Sequence, residues 1–203
     1  MGRNGKVSKQ QIIETSAGLF HFNGYNHTSL DMIAKKLDLQ KGSISFHFPS
    51  KEDLAIAVLD YQFEKTQNNV FAKAFDGPGN PIEKVEKFFD CMNEEYFKTS
   101  SNLFLGCPLG TFSMEMSTVS NRIRERIVKI FDSLVGKFES VLNQAKEEGL
   151  VPEEVDTHYA AIHMMVQVQG ASLVARTYQN LDVLQFLKQG FYNSVHLTPV
   201  ETA

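Results

Sequence analysis

Within the run K-G-S-I-S-F-H-F, the residues Lys41, Gly42, Ser43, Ser45, Phe46 and His47 are interrupted by Ile44 and closed by Phe48. Ile44 and Phe48 are four apart, so a helix through this run turns both to one side and leaves the cation, the hydroxyls and the Phe46 ring to face the other. Such a helix enters the major groove of DNA only if small or polar groups line its leading edge. Gly42 removes a side chain where backbone would approach a duplex, Lys41 can reach a phosphate or a guanine edge, and Ser43 is placed for a base. His47 and Lys51 suit phosphates, Lys51 helped by the partial positive charge of the helix start on which it lies. Thr28 can cap the preceding helix and touch phosphate with the same hydroxyl. Phe46 can give apolar contact to a thymine methyl or a sugar, or it can simply pack. This is chemistry for recognising duplex DNA.

The flanking residues must hold that short run in place. Leu30, Ile33, Ala34 and Leu37 fall at i, i+3, i+4 and i+7, the apolar stripe of a helix. Thr28 followed by Asp31 has the spacing of a capping box at its start. Asp38-Leu39-Gln40 breaks the pattern, and Lys41 to Phe48 is too short for an independent helix, so packing must support it. Ser50 and Asp53 have the spacing of a second box. Upstream, Ser8 and Gln11 form another, Ile13, Ala17 and Phe20 continue a helical stripe, and Gly24 ends it.

Three segments, T-S-L-D-M-I-A-K-K-L (28–37), K-G-S-I-S-F-H-F (41–48) and S-K-E-D-L (50–54), in that order and spacing, resemble the DNA-binding part of the tetracycline-repressor (TetR) family of one-component regulators. The resemblance is close over the N-terminal part and extends over the rest only as a helix pattern. It implies DNA contacts at Thr28, Lys41, Gly42, Ser43, Ser45, Phe46, His47 and Lys51. Two positions depart from the family. Asp38 stands where Gly is usual, and Asp tolerates left-handed backbone better than most residues. Ser45 stands where an aromatic, often Tyr, is usual, so a phosphate-clamping phenol is missing.

Composition bounds the alternatives. The chain has 203 residues, is 42% hydrophobic, and holds 16 Phe and no Trp. No apolar run approaches the roughly 20 residues of a membrane span, and the N-terminus, with Arg3 and Lys6, lacks the apolar stretch of a secretory signal. Cys91 and Cys107 have no metal-ligand spacing, which points to a reduced, cytoplasmic setting. The net charge of -4 is unevenly spread: residues 1–53 hold 7 Lys/Arg against 5 Asp/Glu, net +2, leaving 13 against 19 beyond, net -6. Only the N-terminal part has the sign that phosphate requires.

Periodicity without any alternating strand pattern predicts an all-α chain of about nine helices, and the resemblance implies a helix-turn-helix DNA-binding domain over 1–53 and a helical ligand-binding and dimerisation domain over 54–203. Asn80, Pro81 and Glu83 restart the chain after the break at 76–81, and Val85, Phe89, Met92 and Tyr96 then share one helix side. Asn121 to Lys146 is the longest periodic stretch, and Arg122, Arg124, Arg126 and Lys129 read as solvated charge on it. Gly149 caps its end, Asp156 opens a helix through Arg176, and Asp182 opens a last one toward Leu197, before a frayed tail from Thr198. The segment from Ile162 to Leu173 is apolar nearly all round, as a helix buried on two sides would be. By resemblance, 156–177 and 182–197 pair with a second copy, giving a homodimer that reads a palindromic operator.

Phe89, Met92, Phe104, Phe112 and Met116, with Phe88, Phe97, Met114, Met164 and Met165, supply aromatic and thioether surface. They pack as core or line an apolar cavity carrying His163 and Gln167 as polar groups. Gly106-Cys107-Pro108-Leu109-Gly110 is similar to a G-C-x-hydrophobic-G motif in one branch of the family. Cys107 is then either a sensor of electrophiles at a helix start or a small packing residue. A small apolar or electrophilic ligand is expected, with no cofactor and no metal.

An enzyme is the competing class. The chain has no phosphate loop, no HExxH and no nucleophile elbow, and His158 and His163, five apart, do not share a helix face. A helical small-molecule binder or adaptor without sequence-specific DNA binding is the other alternative.

Overall fold

Ser8 opens the first helix with a reciprocal cap: its hydroxyl accepts from the Gln11 N–H and its own N–H donates to the Gln11 side chain. The computed structural model describes residues 8–96 and 103–195. Arg3, Lys6, Phe97, Ser100 and the tail from Thr198 lie outside them. The helices are α1 (Lys9–Asn23), α2 (Leu30–Lys36), α3 (Lys41–His47), α4 (Lys51–Thr66), α5 (Ala72–Phe75), α6 (Pro81–Tyr96), α7 (Pro108–Met116), α8 (Asn121–Glu147), α9 (Thr157–Tyr178) and α10 (Phe186–Ser194). A π turn, Gln67–Phe71, joins α4 to α5 without a break, and a 3₁₀ turn, Leu181–Gln185, leads into α10. With each of those pairs taken as one run, the described residues form nine helical runs and no strand. No helix among them is long and apolar enough to cross a membrane.

The chain divides into two compact units. The first is 1–64 with 108–127, and the second is 65–107 with 128–203, so the chain passes between units three times: inside α4, at the start of α7 and inside α8. In the first, Ile12, Phe20, Ile33, Ile44, Leu54 and Ile123 are fully buried. The Phe20 ring meets Phe112 of α7 edge-on at 5.6 Å, and Tyr25 lies within 6.0 Å of Phe112.

The second unit is built on aromatic rings. Phe71, Phe75, Phe88 and Phe138 pack together, the closest pair being Phe88 and Phe138 at 4.8 Å, edge to face. Each such pair adds about 0.5–1.5 kcal/mol beyond area burial. Phe89 packs against Phe191 of α10, and the Tyr192 phenol donates to the Glu86 carboxylate of α6. The α9–α10 crossing is close: a Cβ on Gly190 would lie 2.6 Å from the Gln167 amide.

Two boundaries differ from the sequence expectation. α9 runs on to Tyr178, where Gln179 turns left-handed (φ 51) and stops it. The last α-helix begins at Phe186, not Asp182, because Asn180 accepts from the Asp182 N–H and closes a 3₁₀ turn first.

Candidate nucleic-acid interface

The pairing of α2 and α3 rests on local caps. Ser29, one residue after the expected Thr28, is the N-cap of α2, accepting from the Met32 N–H at 3.1 Å. At the far end the Leu39 N–H reaches back to the Ala34 carbonyl at 2.9 Å, and Asp38 takes φ 54. The turn therefore keeps its left-handed residue without Gly, as expected of Asp. α3 then starts at Lys41 with Gln40 as N-cap, whose side chain makes no capping bond. Ile44 and Phe48 are buried and anchor the helix, and Lys9 of α1 holds its ammonium over the Phe48 ring at 5.3 Å.

The remaining residues of α3 face out. Lys41, Gly42, Ser43, Ser45 and Phe46 are exposed, and His47 is half-buried. Phe46 is 83% exposed and makes a T-shaped pair with the His47 ring, at 5.2 Å between centroids. A Cβ built on Gly42 meets nothing within 4 Å, so backbone is bare there. Lys41 bonds Asp31 of α2 at 2.8 Å, with both side chains well exposed. An exposed pair of this kind is worth about 0–1 kcal/mol and yields readily to a phosphate.

Two expected phosphate contacts require correction. Thr28 is fully buried, and its hydroxyl donates to the Gly24 carbonyl at 2.8 Å and the Leu19 carbonyl at 3.2 Å. It neither caps α2 nor faces a duplex; it ties the end of α1 to the start of α2. The Lys51 ammonium donates to the Tyr25 carbonyl at 2.6 Å and lies 4.0 Å over the Tyr25 ring. Partial burial holds its pKa below the ordinary lysine value, against the opposing pull of Glu115. Lys51 is thus a clamp between α4 and the α1–α2 loop, and only its leftover N–H groups are available to an anion.

The start of α4 combines the expected cap with supports that no local pattern announced. Ser50 caps α4, accepting from the Asp53 N–H at 3.0 Å. Arg122 of α8 bonds Glu52 and Asp53 at 2.8 Å each, Ser120 donates to Glu52, and Arg126 pairs with Asp60. Hydrogen bonds from Ser120 to Glu52 and from Ser50 to Asp53, then from Arg122 to both, hold these carboxyls below the usual range. Arg122 and Arg126 are therefore ion-paired within this unit, Arg122 while remaining exposed as expected of solvated charge. At the same loop, Glu115 of α7 accepts from the Asn26 N–H at 3.1 Å and lies against Gly24, whose φ of 86 favours glycine.

The eight residues expected to meet a ligand are divided between the two units. Phe112 and Met116 are buried in the first unit, Phe112 against Phe20 and Tyr25, so they support the reader. Phe89 and Met92 are core of the second unit. The Phe104 backbone is bridged by the Gln179 side chain, which accepts from its N–H at 2.9 Å and donates to its carbonyl at 3.0 Å. Cys107 is buried, and the Gln169 amide reaches its sulfur at 3.6 Å and that of Met165 at 3.8 Å. Gln167 and His163 are partners at 3.3 Å on α9, half-buried. Among the described residues no group of His, Cys, Asp or Glu could hold a metal ion.

Residues 12–58 match the sequence profile of bacterial regulatory proteins of the tetR family. Residues 81–189, more than half of the chain, match that of the C-terminal domain of LmrA/YxaF-like transcriptional regulators. The chain is 26% identical over 180 residues, 88% of each protein, to the HTH-type transcriptional repressor DhaR of Mycobacterium sp. (strain GP1). It is 29% identical over 161 residues, 79% of this chain and 81% of the relative, to the uncharacterized HTH-type transcriptional regulator YxaF of Bacillus subtilis (strain 168). The crystal structure of a TetR transcriptional regulator from Chloroflexus aurantiacus J-10-FL matches with a TM-score of 0.81, covering 92% of this chain and 93% of that one at 26% identity.

Proposed function

Because the chain belongs to the tetR family of bacterial regulatory proteins, we propose that it is a homodimeric repressor whose two α3 helices read a palindromic operator and which leaves that operator when a small apolar molecule binds. The chain is a DNA-binding transcriptional regulator and not an enzyme. The observation that carries the reading is the division of α3: Ile44 buried inside, and Lys41, Gly42, Ser43, Ser45 and Phe46 all exposed on seven residues of helix. No packing need of the first unit explains an exposed aromatic ring and bare glycine backbone side by side. A groove does.

One seven-residue helix touches few bases, so two copies are needed. On α9, Tyr159, Ile162, Val166, Leu173 and Tyr178 are exposed, and Phe186 is exposed at the start of α10. An apolar stripe of this length suits a self-complementary interface about a two-fold axis. The functional boundary falls near Asp53, with residues 1–53 as reader and 54–203 for ligand and dimer, α7 and the start of α8 serving as the reader's buttress. A relative named a repressor supports repression. For the ligand, the aromatic second unit suits an apolar molecule, and the buried Cys107 thiol under Gln169 favours reversible binding over covalent capture. Selection of bound duplexes from a random pool tests the proposal. It should return one palindrome, bound with an affinity that falls steeply with salt. Recovery of no preferred sequence would refute it.

A further inference from the structure

Resting on the proposal that α3 is the reader, we infer that sequence preference in each half-site is set largely by an apolar contact: the Phe46 ring takes the C5-methyl of a thymine. From Gly42 to His47 there is no Arg, Lys, Asn or Gln, the side chains whose hydrogen bonds discriminate guanine and adenine, and Gln40 and Lys41 stand only at the helix start. Ser43 and Ser45 offer single hydroxyls, which donate or accept with any base and distinguish little. Lys41 is held by Asp31 of α2. What α3 presents most prominently is the Phe46 ring, 83% exposed and uncovered by any other element of its unit. Gly42 lies one helical turn earlier on the same face and has no side chain. The ring therefore stands beside bare backbone, an open apolar step that a methyl group can enter and that a cytosine amino group would enter only by losing its hydration. Among the four bases only thymine carries that methyl in the major groove. The half-buried His47 ring pairs with Phe46 in a T-shaped arrangement.

The test uses the full-length protein and the palindromic duplex returned by selection. Each thymine of the half-site is replaced in turn by deoxyuridine, which keeps base pairing and removes only the methyl. At one thymine per half-site the wild type should bind about fourfold more weakly, the equivalent of about 0.8 kcal/mol for one buried methyl. Substitution in both half-sites should cost about fifteenfold. F46A should bind the thymine and uridine duplexes equally, and F46L should keep part of the difference. Because Phe46 is exposed, both variants should melt with the wild type. Equal wild-type affinity for thymine and uridine at every position would overturn this inference while leaving the reader assignment intact, and undiminished discrimination by F46A would do the same. Failure of the wild type to prefer any duplex would overturn both.

Discussion

Thr28→Val separates a structural hydroxyl from a DNA-contacting one. The substitution keeps the shape and the branched Cβ and removes only the donor. In the structure that donor serves the Gly24 carbonyl at 2.8 Å in a buried setting and the Leu19 carbonyl at 3.2 Å. A neutral hydrogen bond contributes about 0.5–1.5 kcal/mol net, and a buried acceptor left without its donor costs about 1–3 kcal/mol. The gain of an apolar methyl in a buried site offsets part of this, so a loss of about 1–2 kcal/mol is expected. For a chain of this size that lowers Tm by about 2–8 °C. Thr28→Ser, which keeps the donor, should lose less. Thermal melting by circular dichroism measures the first effect, and operator titration well below the melting range measures the second. Operator affinity of the folded Val variant should stay within about twofold of wild type. A hydrogen bond to a charged phosphate is worth about 1.5–3 kcal/mol. A Val variant as stable as wild type but bound more than tenfold more weakly would therefore return Thr28 to the DNA surface and refute its assignment to the core.

The α2–α3 turn should tolerate Asp38→Gly with equal or higher stability, whereas Asp38→Val forces a branched residue to φ 54 and should cost about 1–2 kcal/mol in urea denaturation. Burial, helped by the Glu86 carboxylate to which it donates, pushes the Tyr192 phenol up to about 12. Since this folded value lies above the unfolded one, its stabilisation, about 2 kcal/mol, is complete below pH 10 and disappears as pH rises toward 12. Tyr192→Phe should flatten the stability profile in that window, and an unchanged slope would disprove the link. Val166→Lys, on the exposed α9 stripe, should yield a folded monomer by sedimentation and weaken operator binding at least tenfold; a dimer of unchanged affinity would move the interface elsewhere.

What the sequence disclosed was local. Ser8 with Gln11, Ser50 with Asp53 and Asn80 with Glu83 are caps written at fixed spacing, and all three form. Gly24 and Gly149 both take positive φ, and Asp38 does so in place of Gly. Ile44 and Phe48 turn inward as their four-residue spacing demanded. Adjacent hydroxyls defeated the same logic at Thr28 and Ser29: either could cap, and the buried Gly24 carbonyl, which no spacing reveals, claimed Thr28. Contacts across long stretches of chain were illegible. Arg122 reaches Glu52 and Asp53 some seventy residues away, and Phe112 reaches Phe20, so residues that composition grouped with a ligand cavity or with solvent belong to the reader's own support. Lys51 was legible as a cation at a helix start, but its choice of the Tyr25 carbonyl depends on a loop whose path only the folded unit fixes.

The central claim is that two copies of α3 lie in the major groove on one side of a duplex. Dimethyl sulfate footprinting on a selected operator with guanines placed through both half-sites addresses it directly, because the reagent marks guanine N7 in the major groove and adenine N3 in the minor groove. Protection of guanine N7 should appear in two blocks, their centres about 10 base pairs or a multiple apart. Loss of both blocks should follow Ser43→Glu, which puts a negative charge on the exposed face of α3. Protection confined to adenine N3, or a footprint untouched by a charge at Ser43, would contradict the account.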